Sequence, residues 1–256
     1  MMDAGKSGRL TVVGLGPGPA DWVTPAAHEA VAGASHILGY DAYVARLSPR
    51  ADQAVVATGN RVELDRASEA LALAAAGHRV VMVSGGDPGV FAMAAAVFEA
   101  IEAGPLAWRA LDVRVEPGVT AMLAAASRIG APLGHDFCAI SLSDNLKPWE
   151  VIARRLTLAA QADFVIALYN PASKARPEQI GRAFAVVREV QAADTVVVLA
   201  RAVGRPDEDI TVTTLAGAAS QLIDMRTLVL IGSGATRTLA RADGAVWVYT
   251  PRFVKA

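Results

Sequence analysis

The feature that most limits how this chain can fold is an alternation, along most of its length, of short β-branched runs with alanine-rich stretches of helical length. The runs fall at 10–13, 53–57, 79–83, 112–115, 138–142, 163–168, 195–199, 210–213, 227–231 and 245–249. Most lack the apolar–polar alternation of a half-exposed strand and read as strands buried on both faces. Helical stretches lie between them at 65–76, 88–103, 121–129, 149–160 and 177–190. Strand–helix alternation of this kind predicts an α/β fold whose first sheet is mainly parallel. From residue 195 onward the strands follow one another with one short helical piece, near 215–223, which suits antiparallel pairing. The expectation is therefore two α/β domains, 1–117 with a mainly parallel sheet and 118–256 with a mixed one. With 256 residues, 53% of them hydrophobic, a sizeable core is within reach.

Charge and cysteine usage remove several function classes. Lys+Arg number 24 against 25 Asp+Glu, a net charge of -1, so no basic excess exists to neutralise a row of phosphates and no nucleic-acid partner is expected. An anionic ligand must meet a local cluster of cations. Cys138 is the only cysteine, and His28, His36, His78 and His135 share no ligand spacing, so no metal site, iron–sulfur cluster or internal disulfide is expected. The amino terminus lacks the apolar stretch of a signal peptide, and the longest apolar run, 90–98, is far short of the roughly 20 residues that cross a bilayer. A cytoplasmic protein without a membrane partner is the expectation.

Four segments at the ends of predicted strands can carry chemistry. Gly14-Leu15-Gly16-Pro17-Gly18-Pro19 is a glycine turn placed where a dinucleotide fold holds pyrophosphate, and Asp41 follows near the position of a ribose-binding carboxylate. The fingerprint is incomplete, because Pro19 stands where its third glycine belongs. In Ser84-Gly85-Gly86-Asp87-Pro88-Gly89-Val90 the two glycines are expected to expose amides to a polar ligand, Asp87 to cap the following helix and Pro88 to occupy its first turn. Capping alone also accounts for that segment. Glu116-Pro117-Gly118-Val119-Thr120-Ala121 is a turn whose Thr120 either caps a helix or offers its hydroxyl. The segment 168–176, LYNPASKAR, places amide and cationic groups after a buried strand, either as a ligand loop or as a solvated one.

Hydrolytic, nucleotide-phosphate and dithiol motifs do not occur: the sequence has no G-x-S-x-G, no G-x-x-x-x-G-K-[ST], no H-E-x-x-H and no C-x-x-C. His28 belongs to an amphipathic stretch, 24–32, and Cys138 sits in an apolar run, so both read as structural rather than catalytic.

Taken together, the GLGPGP, SGGDPGVF and EPGVTA segments, beginning at residues 14, 84 and 116, and the two-domain organisation resemble the tetrapyrrole methylase family over nearly the whole chain. Within it, LGYDAYVARL (38–47), ISLSDNLKPWEVIARRL (140–156) and LYNPASKAR (168–176) are most similar to the branch that methylates C17 of a precorrin in cobalamin biosynthesis and contracts the ring. The resemblance implies a homodimer with S-adenosylmethionine as methyl donor, S-adenosylhomocysteine as product, and a cofactor cleft between the two domains beneath a small-molecule tetrapyrrole. By match to the family's motifs it assigns cofactor binding to Gly85, Gly86, Asp87, Val90, Thr120, Ala121, Asn170, Val203, Thr227 and Leu228. Gly16, Pro17 and Gly18 are expected near the substrate.

Methyl transfer from a sulfonium to a substrate carbon needs positioning and a dry site more than a protein nucleophile. Proton transfers in the ring contraction leave Asp144, Tyr40 and Tyr43 as candidates. Lys174 and Arg176 are the candidate grips for the substrate's carboxylates, with Arg46, Arg201 and Arg205 next. The single cysteine also places the chain with members lacking an iron–sulfur extension. Alternatives are a cobalt-containing precorrin, another precorrin carbon, or uroporphyrinogen III as substrate. Outside the class stand a dinucleotide-dependent oxidoreductase and a tetrapyrrole-binding module without catalysis.

Overall fold

A computed structural model describes residues 8–59, 62–173 and 175–253, and the chain divides into two compact units, Met1–Thr120 and Ala121–Ala256. The first unit runs β1 (Arg9–Gly14), α1 (Pro25–Gly33), β2 (His36–Tyr40), α2 (Asp41–Val44), β3 (Ala54–Thr58), α3 (Glu63–Ala75), β4 (Arg79–Ser84), α4 (Met93–Ala103) and β5 (Asp112–Glu116). Its five strands form one sheet in the order β3-β2-β4-β1-β5, every pair parallel. The central strands are largely apolar along their middles because both faces are covered. Leu10, Val12, Leu38, Val80 and Met82 pack on α3 and α4 through Ala67, Ala70, Leu71, Met93 and Val97. Val13, Ile37, Val81 and Val83 cluster on the opposite face with Leu15, Ala27 and Val44.

The second unit runs α5 (Ala121–Ile129), β6 (Gly130–Ala131), β7 (Phe137–Ser141), α6 (Trp149–Gln161), β8 (Val165–Tyr169), α7 (Gln179–Arg188), β9 (Val196–Arg201), β10 (Asp209–Thr214), β11 (Thr227–Ile231), β12 (Arg237–Ala240) and β13 (Val246–Tyr249). The main sheet, β10-β9-β11-β8-β7, is mixed: β7 and β8 are parallel, the other pairs antiparallel. Leu156 of α6 and Phe184 of α7 pack with Ile166, Leu168, Leu199 and Val229 in its core. Cys138 is half-buried against that core, and burial pushes its thiol up.

The parallel and mixed sheets agree with the expectation; three details do not. The strand β2 was not expected, because His36-Ile37-Leu38-Gly39-Tyr40 has no β-branched run, yet it lies inside the sheet between β3 and β4. The short β6 pairs with β13, and with β12 they form a small third sheet. The helix expected from 88 begins only at Met93.

Candidate active site

The carboxyl ends of β1, β2, β4 and β5 lie along one edge of the first sheet, where α/β proteins hold ligands. The turns after β1 and β4 pair through their backbones: Leu15 N–H donates to Ser84 O (2.9 Å), Gly16 N–H to Gly86 O (3.1 Å) and Gly86 N–H to Gly16 O (3.1 Å). Both Gly16 and Gly86 have φ +63°, a left-handed backbone that glycine adopts without steric cost. The turn after β5 closes on the same point. A Cβ on Gly118 would lie 2.3 Å from Gly86 O and 2.9 Å from Gly14 Cα, and one on Gly14 would lie 2.5 Å from Gly86 O. Three motifs far apart in sequence are thus one packed cluster of glycine backbones. The expectation that Gly86 offers its amide to a ligand is corrected: that N–H is already donated to Gly16.

The role expected for Asp87 as a helix cap is also corrected. Because α4 starts at Met93, Pro88 is not in its first turn, and the Asp87 carboxylate works within the loops. One oxygen accepts from Gly89 N–H (2.8 Å) and the other from Gly118 N–H (3.0 Å), tying the β4 turn to the β5 turn. The delay has a local cause: Val90 N–H donates to Asp87 O and Ala94 N–H to Pro88 O, so residues 87–92 form a turn first. Val90 is half-buried in that turn, and Thr120 is buried.

The segment after β2 supports the same edge. Arg46 donates from Nη1 to Gly16 O (2.8 Å) and from Nη2 to Leu15 O (2.6 Å) and Gly18 O (3.0 Å). The reserve cation of the sequence analysis is thus holding the GLGPG turn, which Gly16, Pro17 and Gly18 share. Sequence reasoning missed this role, and the LGYDAYVARL resemblance was its only signal. Tyr43 sits where a Cβ on Gly85 would go, 2.6 Å from its ring, and Tyr40 meets Tyr43 edge to face with centroids 5.4 Å apart. A dinucleotide cradle is not built here, because α1 starts at Pro25 and brings no helix N-terminus directly after the glycine turn.

In the second unit β7, β8 and β9 share a direction and β11 opposes them, so Ser141, Tyr169, Arg201 and Thr227 reach one sheet edge. Leu142 N–H donates to Tyr169 O (2.9 Å), and Asn170, at φ +53°, donates from its amide to Ser141 Oγ (2.9 Å). The hydroxyl of Tyr169 accepts from Met122 N–H (3.1 Å), satisfying one of the open donors in the first turn of α5 that begins at Ala121. Arg176 reaches Asp144 at 3.4 Å, so two of the candidates pair with each other. Lys147 donates to Ser143 O (3.2 Å); burial and nearby Arg155 push its ammonium below the usual lysine range, with Asp144 opposing. Lys174 lies outside the described residues.

Val203, Thr227 and Leu228 are buried at the β9–β11 end of that edge. Thr227 donates its hydroxyl to Asp224 Oδ1 (3.0 Å) and its N–H to Asp224 O (3.1 Å). Asp224 also accepts from Arg201 (2.9 Å), while Asp207 takes Arg201 (3.3 Å) and Arg226 (2.7 Å). Arg201, another reserve cation, is therefore bound into a carboxylate network. Among the described residues no cluster of three or more His, Cys, Asp or Glu could hold a metal ion, and no helix is long and apolar enough to cross a membrane.

A parallel sheet whose strand ends carry three interlocked glycine turns, followed by a mixed sheet, defines a methylase of tetrapyrroles: the chain belongs to the tetrapyrrole (corrin/porphyrin) methylase family, whose model matches residues 9–219. It is 61% identical over 247 residues to a precorrin-3B C(17)-methyltransferase of Sinorhizobium sp., covering 96% of this chain and 97% of that protein. Among solved structures it is similar to the methyltransferase CobJ, with TM-score 0.90 and 54% identity over 96% of this chain and 100% of that one. The uroporphyrin-III C-methyltransferase of Thermus thermophilus, solved with S-adenosylhomocysteine, shares the fold at TM-score 0.67 and 22% identity, covering 88% of this chain and 97% of that one.

Proposed function

We propose that this chain transfers the methyl group of S-adenosylmethionine to C17 of precorrin-3B and couples the transfer to ring contraction, giving precorrin-4. The full-length relationship to a protein of that name carries the substrate. The interlocked turns carry the chemistry, since they offer a rigid, mostly uncharged backbone surface in place of a nucleophile. A methyl sulfonium held here would supply the electrophilic methyl group, its carbon–sulfur bond breaking to leave S-adenosylhomocysteine as the substrate carbon takes the methyl; the protein's part is alignment and exclusion of water.

The residues fit such a donor. Beside Gly86 a Cβ would find its nearest neighbours, Thr120 Cα and Val119 O, only at 3.8 and 3.9 Å, so the turn leaves room at its surface. We assign Gly85, Gly86, Val90, Thr120 and Ala121, with Asn170, Val203, Thr227 and Leu228, to the donor. Asp87 holds the loops that carry the first of these. Gly16, Pro17 and Gly18, shaped by Arg46, are assigned to the substrate together with Lys174 and Arg176. Asp144, which Arg176 contacts at 3.4 Å, serves as base in the contraction, with Tyr40 and Tyr43 as hydroxyl donors. The protein works as a cytoplasmic homodimer, without a metal of its own and without nucleic-acid or membrane partners.

Incubating the purified protein with precorrin-3B and S-adenosylmethionine tests the reading. The expected product carries one added methyl at C17 and a contracted ring, seen by mass spectrometry and carbon NMR. Methylation at another carbon would reassign the substrate, and a co-purified nicotinamide cofactor in place of S-adenosylhomocysteine would overturn the class.

A further inference from the structure

The first sheet has a second polar feature, away from the glycine turns. Along β1, Arg9, Thr11 and Val13 share one face, because side chains alternate along a strand, and Val13 clusters there with Ala27 of α1. Their partners in register are Arg79 and Val81 on β4, and Asp112, Arg114 and Glu116 on β5. A cavity of about 310 Å³ lies on this face, within the size range of small-molecule sites. Arg9, Thr11, Arg79, Arg114 and Glu116 line it from the strands and Glu29 from α1, all within the first unit. Thr11 is only 6% exposed, and among the described residues its hydroxyl has no hydrogen-bond partner. A hydroxyl so deeply buried is ordinarily satisfied, so its opening onto a cavity points to a ligand.

The charges of the lining are sorted along the strands. Arg9 and Arg79 stand side by side at the first positions of β1 and β4, the end opposite the glycine turns. Asp112 is the carboxylate of that row, and it is shared: Arg9 Nε donates to one oxygen (2.6 Å) and Arg114 Nε to the other (3.0 Å). Arg79 has no carboxylate partner among the described residues, so its fork is open, as are the terminal nitrogens of Arg9. The cavity's own carboxylates lie further along. Glu116 is four residues beyond Asp112 on β5, about 13 Å up the strand. Glu29 is four residues before the end of α1, about 6 Å along the helix from the end that leads to Ser35, whose N–H donates to Arg79 O (2.8 Å). Neither glutamate forms an ion pair among the described residues.

We propose that this cavity is a binding site for a short zwitterion with separated charges, an ω-amino acid in chemical class. Its carboxylate takes the open fork of Arg79, the terminal nitrogens of Arg9 and the Thr11 hydroxyl; its ammonium faces Glu29 and Glu116. A dianion would meet those two carboxylates, and a simple amine would leave Arg79 unpaired. The site is separate from the methylase edge and does not rest on that reading.

The test titrates the full chain, by ligand-observed NMR and calorimetry, with three probes of one length: 5-aminopentanoate, glutarate and 1-aminopentane. The first is expected to bind with a Kd on the order of 1 mM, the other two about tenfold more weakly. Arg79→Gln, at an exposed and unpaired position, should weaken 5-aminopentanoate about tenfold, and Thr11→Val about threefold without lowering the unfolding temperature. Glu29→Gln should weaken 5-aminopentanoate and strengthen glutarate, a change of preference that a structural role would not produce. Saturating S-adenosylhomocysteine should leave the probe bound. No binding of 5-aminopentanoate at about 10 mM, glutarate binding wild type as tightly, an unchanged affinity in Arg79→Gln, or displacement by S-adenosylhomocysteine would each overturn the proposal.

Discussion

The loops at the carboxyl ends of the strands in the first sheet and those along the edge of the second sheet that holds Ser141, Tyr169, Arg201 and Thr227 are assembled from different materials. In the first unit the turns meet backbone to backbone, at distances only glycine permits, and charged side chains enter only to clamp carbonyls and amides. In the second unit the loops are joined by side chains: Asn170 to Ser141, Arg176 to Asp144, and Arg201 and Arg226 to Asp207 and Asp224. Steric packing has no pH or salt dependence and tolerates no added atom; polar pairing has both and tolerates conservative change. The first edge is thus a fixed frame and the second an adjustable one, and substitutions on the two should differ in size and in kind.

The sharpest way to break that contrast is Gly118→Ala. The added methyl would overlap Gly86 O and Gly14 Cα, which are backbone atoms and cannot rotate away. A loss of about 3 kcal/mol, at the upper end for overpacking, is expected in urea denaturation and should not change with salt. A loss below about 1 kcal/mol would mean that the frame is not fixed.

Next in size is Asp87→Asn, in which one of two backbone N–H groups now faces an amide NH2 instead of a carboxylate oxygen. Leaving a partly buried donor unsatisfied costs about 2 kcal/mol. Because the released turn carries Gly85, Gly86 and Val90, S-adenosylhomocysteine affinity should fall with it. Chemical denaturation and calorimetric titration of the same variant separate the two effects; a loss of affinity with full stability would show Asp87 touching the donor directly.

How much of this was legible beforehand follows the same divide. The buried strands were visible because continuous β-branched runs leave few other folds, and the glycine turns stood out because close backbone approach demands glycine. Strand β2 was not legible: Gly39 is required where a Cβ would strike Val83 Cγ2 at 2.4 Å, and this dilutes the strand signal. The start of α4 was misplaced because Asp-Pro reads as cap and first helical residue, although here both serve a preceding turn. Arg46 and the Asp224 network were invisible for a different reason. Contacts from arginine to a carbonyl about thirty residues away, or to a carboxylate about twenty away, impose no periodicity.

On the second edge the informative change is Asp224→Asn. Burial pushes the Asp224 carboxyl up, but hydrogen bonds from Arg201, the Arg226 N–H and Thr227 outweigh it and leave the group below the usual carboxylate range. A folded-state value below the unfolded one gives stability that is present above the unfolded pKa, near ~4, and is lost as pH falls through the folded value. The pair is part-exposed, so about 1 kcal/mol at neutral pH is the expected difference from wild type. It should shrink below about pH 4 and in molar salt. A difference independent of salt and pH would make this edge as rigid as the first.

The smallest effect on folding, and the one that best separates frame from chemistry, is expected from Asp144→Asn. Its contact with Arg176 is a single one at 3.4 Å between side chains 18% and 32% exposed, long for a charge-assisted hydrogen bond. Such a pair adds little net stability, so the unfolding midpoint should move by less than about 0.5 kcal/mol. The carboxylate itself has more to do: it is the group assigned as base, and an amide cannot take a proton in its place. Turnover of precorrin-3B should therefore drop in a protein as stable as wild type, while S-adenosylhomocysteine affinity holds. Substrate affinity should rise slightly, since the guanidinium of Arg176 loses a competitor for the substrate's carboxylates. If turnover survives and only substrate affinity changes, Asp144 is a counter-ion, and proton transfer passes to Tyr40 and Tyr43 on the rigid edge. The division between a fixed frame and an adjustable chemical edge would then be drawn in the wrong place.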